Sequence, residues 1–137
     1  MNARLALLAD FANLSADGKL NILGAFDTIY AAKFPAVHAE MKLVVRFEIH
    51  PAEADQPRQM EIQFRNADGQ KIFGLQGTMK FQGLPGATPV GEMLSTNTIL
   101  GINSLELKEP GRYEFVVLVN GEIKASVPLK VVVRPPQ

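Results

Sequence analysis

The chain has 137 residues, 47% of them hydrophobic, which is enough for one domain, residues 1–137, whose core needs no disulfide for stability. Its 14 basic and 14 acidic residues cancel, so electrostatics favours neither a nucleic acid nor an acidic membrane surface as partner. The sequence has no cysteine, which excludes a disulfide framework, a thiolate nucleophile and a cysteine metal site.

Leu5 to Leu14 is predicted to be the first β-strand. The apolar run after Arg4 ends at Asp10 after five residues, whereas the apolar core of a signal peptide needs roughly 7 to 15. No run in the sequence approaches the ~18 apolar residues of a membrane-spanning helix. We therefore expect a soluble, cytoplasmic protein without a membrane partner.

A turn at Ser15 to Lys19 joins this strand to a second one, predicted over Leu20 to Tyr30. Placing Gly18 in the left-handed conformation gives a register in which the apolar residues of both strands share one face. The predicted pairs are Leu14 with Leu20, Ala12 with Ile22, and Leu8 with Phe26. The chain is therefore expected to begin with a β-hairpin.

The middle of the chain alternates between connections and strands. Lys33 to Glu40 is predicted to be a connection, because Pro35 is excluded from a central strand. Met41 to Ile49 alternates apolar and polar residues, as a half-buried strand does. A second hairpin is predicted around the turn Asn66 to Gln70, with Phe64 set against Ile72.

The last third of the chain is predicted to form strands at Leu94 to Ile102, Arg112 to Val119 and Ile123 to Val133. The turn between the last two is interpreted as a three-residue loop with Gly121 at a bulge. Its predicted pairs are Val117 with Ile123, Phe115 with Ala125, and Tyr113 with Val127. The approach to Tyr113 is similar to a tyrosine corner, in which the hydroxyl bonds backbone a few residues upstream. The sequence thus predicts a single antiparallel Greek-key β-sandwich, immunoglobulin-like, with about seven to nine strands and little or no helix.

Four stretches of the sequence resemble an uncharacterised bacterial family of small β-sandwich proteins, described only as a domain of unknown function. These stretches are Leu8 to Asn13 with Asp17 to Asp27, Pro110 to Phe115, and Val127 to Val131. The resemblance covers nearly the whole chain and implies a bacterial or phage origin, but it implies no active residues. The last third is also similar to immunoglobulin-like and fibronectin-like sandwiches, a motif that says little about function.

No motif in the sequence indicates catalysis, a metal or a cofactor. His38 and His50, with Glu40 and Glu48, lack the spacing of a paired ligand set and are better explained as solvated surface residues. The carboxylates considered for calcium are Asp17, Asp27, Asp55 and Asp68. Asp17 and Asp68 are already explained by the turns in which they lie. No serine lies in the Gly-x-Ser-x-Gly motif of a catalytic nucleophile. We therefore expect no cofactor and no enzymatic activity.

Binding is the expected role, through one of three features. An outward-facing apolar patch that could contact a partner or a second copy comprises Val44, Val116, Leu118 and Val132; the alternative is that they are ordinary scattered aliphatics. A possible recognition loop comprises Leu84, Pro85, Thr88, Pro89 and Val90; the alternative is that this segment is merely a long crossover between sheets. Sheet edges that pair with another chain's strand are the third feature.

The sequence therefore predicts a non-catalytic interaction or assembly module, with a protein partner or self-association. The alternative is a sandwich that binds a small ligand, carbohydrate or lipid. With no Trp and two Tyr, the chain has few aromatic platforms for sugar. A metal-dependent or hydrolytic enzyme is the last of the alternatives.

Overall fold

The computed structural model describes residues 1–80 and 92–135, which form nine β-strands and one short 3₁₀ helix (Pro51–Glu53). The strands are β1 (Asn2–Leu14), β2 (Leu20–Phe26), β3 (Thr28–Ala31), β4 (Ala36–Ile49), β5 (Arg58–Arg65), β6 (Lys71–Met79), β7 (Leu94–Leu107), β8 (Gly111–Val119) and β9 (Glu122–Val133). The all-β prediction is confirmed. Within the described residues no helix is long and apolar enough to cross a membrane.

The strands form two sheets that pack face to face. The first sheet has four strands in the order β2-β1-β4-β7, and the second has five in the order β3-β9-β8-β5-β6. Leu43 and Phe47 of β4 and Phe115 and Leu129 of the second sheet are fully buried between the layers. Period-two alternation therefore buries one face of each sheet, as the sequence predicted.

The prediction of a purely antiparallel sheet is wrong, because β3 pairs with β9 in parallel. The predicted strand Leu20 to Tyr30 divides at Asp27, and its second part joins the other sheet. There Ile29 lies beside Val131, and both side chains are buried in the core. The single predicted strand is thus two strands, β2 in the first sheet and β3 in the second.

The register of the first hairpin is confirmed. Leu14 pairs with Leu20, Ala12 with Ile22, and Leu8 with Phe26. Gly18 has a φ of 84°, the left-handed conformation that the turn requires.

The predicted registers of the other two hairpins are wrong, by one residue in the second hairpin and by two residues in the last. Phe64 faces Phe73 because a bulge follows at Arg65. In the last hairpin Val119 pairs with Glu122, so Asn120 and Gly121 form a two-residue turn, with φ of 50° and 80°. A bulge then shifts the register, so that Val117 faces Ala125 and Phe115 faces Val127.

The predicted tyrosine corner is present. The hydroxyl of Tyr113 donates a hydrogen bond of 2.6 Å to the backbone oxygen of Glu109, four residues upstream. Burial raises the pKa of the Tyr113 phenol, and the negative charge of Glu109 raises it further. The bond fixes the chain where it enters β8, at one end of the core.

Candidate functional site

The predicted apolar patch is not an exposed surface. Val44, Val116 and Leu118 are buried, and Val132 is half-buried. The expectation that these four side chains face solvent is therefore wrong, although Val116 and Leu118 do lie on the outward face of β8.

For Val116 and Leu118, polar side chains of the neighbouring strand β5 account for the burial. Gln63 and Glu61 of β5 lie opposite Val116 and Leu118 in the sheet. Their side chains are tied along the strand, because Gln63 donates a bond of 2.9 Å to Glu61 and accepts bonds of 2.7 and 2.9 Å from Arg65. The aliphatic stems of such long side chains cover apolar neighbours while their polar ends stay in water.

Leu84, Pro85, Thr88, Pro89 and Val90, the predicted recognition loop, lie outside the residues that the structure describes. Their role stays a prediction. The candidate site below is built without them.

The two histidines have separate local roles. His38 lies in β4 rather than in a connection, and its ring centre is 5.9 Å from that of Phe26. The Nδ1 atom of His50 accepts a hydrogen bond of 3.1 Å from the backbone nitrogen of Ala52 and so caps the 3₁₀ helix. Neither histidine lines the cleft between β6 and β7 that is described below.

The carboxylates considered for calcium belong to turns. In the first hairpin turn, hydrogen bonds from the side chains of Ser15 and Lys19 lower the pKa of the Asp17 carboxyl, and the bond from Ser15 has the larger effect. Asp27 accepts a bond of 2.8 Å from the Thr28 hydroxyl. Across residues 1–80 and 92–135, no three His, Asp or Glu side chains are grouped so that they could hold a metal ion.

A cleft of about 610 Å³ opens on one side of the sandwich, between β6 and β7. These two strands end their respective sheets, so the cleft lies between two sheet edges. Its floor includes Ile102 and Leu105, both buried, and its walls include Ile72, Phe73 and Leu75. The cleft is therefore an opening in the core rather than a surface groove.

The unequal number of strands explains the opening. Among the described residues the first sheet has four strands and the second has five, and eight of the nine residues of β6 are exposed or half-buried, so β6 is the strand that the first sheet leaves uncovered. Leu75 of β6 faces inward beside Ile62, yet Leu75 is 43% exposed whereas Ile62 is 3% exposed. One further strand beside β7 would complete the first layer and cover Leu75.

The free edge of β7, beside this opening, has a composition that would allow it to pair with another strand. Within the described residues, β7 has a hydrogen-bonded neighbour, β4, on one side alone. No charged residue and no proline occurs in its residues 94–105. Such edges are normally protected by lysine, proline or bulges. The strand is predictable from the sequence, whereas its place at the edge of the sheet follows only from the strand order of the described residues.

Two residues of β7 are irregular: one has a polar atom without a hydrogen-bond partner, and the other has a backbone conformation unlike that of a β-strand. Asn97 faces outward opposite Arg46, and its buried Oδ1 atom has no hydrogen-bond partner among the described residues. Ser104 has a φ of 53°, an unfavourable conformation for a residue with a Cβ atom. Both residues lie on the strand that borders the opening, and Ser104 lines the cleft.

Comparisons with known proteins identify a family and a fold. A family model described as "Family of unknown function (DUF6941)" matches residues 4–132. No curated protein matches the chain. Among solved structures, the chain is similar to the Pseudomonas fluorescens alkylpurine DNA glycosylase AlkC bound to DNA containing an abasic site analog, with 15% identity and a TM-score of 0.52.

That match covers 96% of this chain and 30% of the glycosylase chain. A β-glucuronidase from glycoside hydrolase family 2 matches with 18% identity and a TM-score of 0.39, over 70% of this chain and 11% of that chain. The chain thus spans less than a third of the solved proteins it matches. At this identity the glycosylase likeness concerns the fold alone.

Proposed function

We propose that this chain, which belongs to the family of unknown function DUF6941, is a non-catalytic interaction module that binds an extended segment of another polypeptide along β7. The observation that carries the proposal is the uncharged edge of β7 beside the cleft, where the described residues place no hydrogen-bonded strand next to β7 other than β4. Strand addition to a free sheet edge is a recurrent mode of peptide recognition, in which backbone hydrogen bonds supply the affinity.

The shape of the opening favours a single strand over the edge of a folded sheet. A second copy that paired its own β7 here would bring its second layer against the protruding β6. A lone extended segment has no second layer and avoids this clash.

The finer architecture is proposed to be an immunoglobulin-like Greek key. β4 and β7 are neighbours in one sheet, while β5 and β6, which lie between them in sequence, belong to the other. The bond from Tyr113 at the start of β8 to Glu109 matches the tyrosine corner of that fold. These features support the proposal. A bacterial or phage origin and a cytoplasmic location stay predictions.

A small apolar ligand is the second candidate, because the cleft volume of about 610 Å³ lies in the range of small-molecule pockets. Its apolar floor suits a lipid-like molecule better than a sugar. An enzymatic role has less support, because neither histidine lines the cleft.

Panning a random-peptide phage library against the folded protein tests the proposed function. The tightest peptide is then synthesised with a backbone N-methyl group at each position in turn. We expect affinity to fall about tenfold or more at every second position, because alternate amides of a paired strand face β7. N-methyl groups at the intervening positions are the matched controls. A library without enriched peptides, or losses without period two, contradicts strand addition.

A further inference from the structure

We propose that the cleft takes one bulky aromatic side chain of the bound segment, tryptophan or tyrosine, as its anchor. This inference rests on the proposed function and specifies the sequence class that the site selects. Backbone pairing along β7 by itself accepts almost any extended sequence. Selectivity must therefore come from side chains, and the cleft is where a side chain has space to enter.

The walls of the cleft define the chemistry of the anchor. One end is bounded by Phe73 and Tyr113, whose rings both pack against Phe64, with ring centres 5.3 and 5.2 Å from it. Ile102 and Leu105 form an apolar floor. Aromatic rings gain additional stabilisation from offset or edge contacts with other rings. A flat apolar side chain fits this surface better than a charged one.

Polar groups at the same cleft favour an aromatic side chain with a polar atom. Asn66, Asn103 and Ser104 also line it, and they offer amide and hydroxyl groups. The charged lining residues are Glu106, Lys108 and Glu109, of mixed sign, so they select neither an anion nor a cation. An indole N–H or a phenol O–H can reach a partner here while the ring stays on the apolar floor.

The backbone of β7 places the anchor close to one end of the paired segment. Ile102 is buried, and the next buried positions are Leu105 and Leu107, so the inward alternation changes phase at Ser104. Pairing with β4 nevertheless keeps one register across this point, from Asn103 with Glu40 to Leu105 with His38. The cleft is lined by residues 101–106, at one end of β7, so a segment paired along this strand reaches the cleft near one of its own ends, and the residue there is the one positioned to insert.

The experiment uses the absence of tryptophan from the chain. Each position of the selected peptide is replaced in turn by Trp and by Ala, and indole emission and affinity are measured with the folded protein. We expect one position, near one end of the peptide, where Trp emission shifts to the blue on binding. Trp at that position should bind at least about tenfold more tightly than Ala, a difference of about 1.4 kcal/mol.

The variant Leu75→Asp should abolish both the blue shift of Trp emission and the tighter binding of the Trp peptide, because it places a charge on the cleft wall. Leu75 is 43% exposed, so the variant is expected to fold, and thermal unfolding checks this. Ile123→Asp is the matched control, with the same change at a residue 56% exposed on β9 and outside the cleft lining. It should leave emission and affinity unchanged.

The outcomes separate this inference from the proposed function. If no Trp position shifts its emission, or if Leu75→Asp binds as the wild type does, the anchor is overturned, while period-two losses on N-methylation would still support strand addition. If N-acetyl-tryptophanamide binds as tightly as the Trp peptide, the cleft is a small-molecule site and the peptide anchor is overturned.

Discussion

Phe64→Ala is expected to lower the free energy of unfolding by about 3–5 kcal/mol, the usual cost of removing a buried aromatic ring. Phe64 is fully buried, and its ring centre lies 5.2 Å from Tyr113, 5.3 Å from Phe73 and 4.7 Å from Phe115. Removal of the ring leaves a cavity bordered by three aromatic side chains, which cannot all move to fill it. Urea unfolding followed by far-ultraviolet circular dichroism measures the loss.

Phe11→Ala is the matched control, because Phe11 is 48% exposed on the outward face of the first sheet. The same substitution there should cost less than about 1 kcal/mol. Equal losses of unfolding free energy at the two positions would contradict the interpretation that the rings of Phe64, Phe73, Tyr113 and Phe115 form the centre of the core. The aromatic end of the cleft depends on the same cluster, so Phe64→Ala should also weaken peptide binding.

Val116→Asp is expected to destabilise the protein by about 3–5 kcal/mol, the cost of an unpaired buried charge. Val116 is 2% exposed and lies on the same face as Glu114, so the introduced carboxylate has an acidic neighbour. Burial should raise the pKa of this carboxyl above its unfolded value. The loss is then largest above the folded-state pKa and shrinks as the pH falls from that value to the unfolded pKa of about 3.9, below which both states carry the proton.

Val133→Asp makes the same change at an exposed position near the end of β9 and should cost less than about 1 kcal/mol. Equilibrium unfolding of both variants at neutral pH and near pH 4 tests the comparison. If Val116→Asp is as stable as Val133→Asp and instead changes the oligomeric state, Val116 is a contact surface after all.

Much of the fold follows from local patterns in the sequence. Alternation in Met41 to Ile49 identifies a strand and its buried face, and Gly18 fixes the first hairpin because its positive φ leaves one register. The other hairpin registers were wrong where a bulge intervened, after Phe64 and after Val117. A bulge adds one residue to one strand without disturbing the alternation of its partner, so period alone does not locate it.

The candidate site was less predictable, because it depends on which strands become neighbours. The burial of Val116 follows from Gln63, which lies 53 positions earlier in the chain and beside it in the sheet. Likewise, the exposure of Leu75 follows from a difference of one strand between the layers. The uncharged stretch 94–105 was visible in the sequence, but its place at an edge was not.

Amide hydrogen exchange of β7, followed by nuclear magnetic resonance with and without the selected peptide, tests the central claim most directly. In the free protein we expect alternate amides of residues 94–103 to exchange rapidly, because half of them face away from β4. A saturating concentration of the peptide should slow the exchange of these amides at least about tenfold and leave exchange at the β2 and β3 edges unchanged. Slow exchange of all β7 amides in the free protein, or new protection confined to another edge, would contradict β7 as the binding edge.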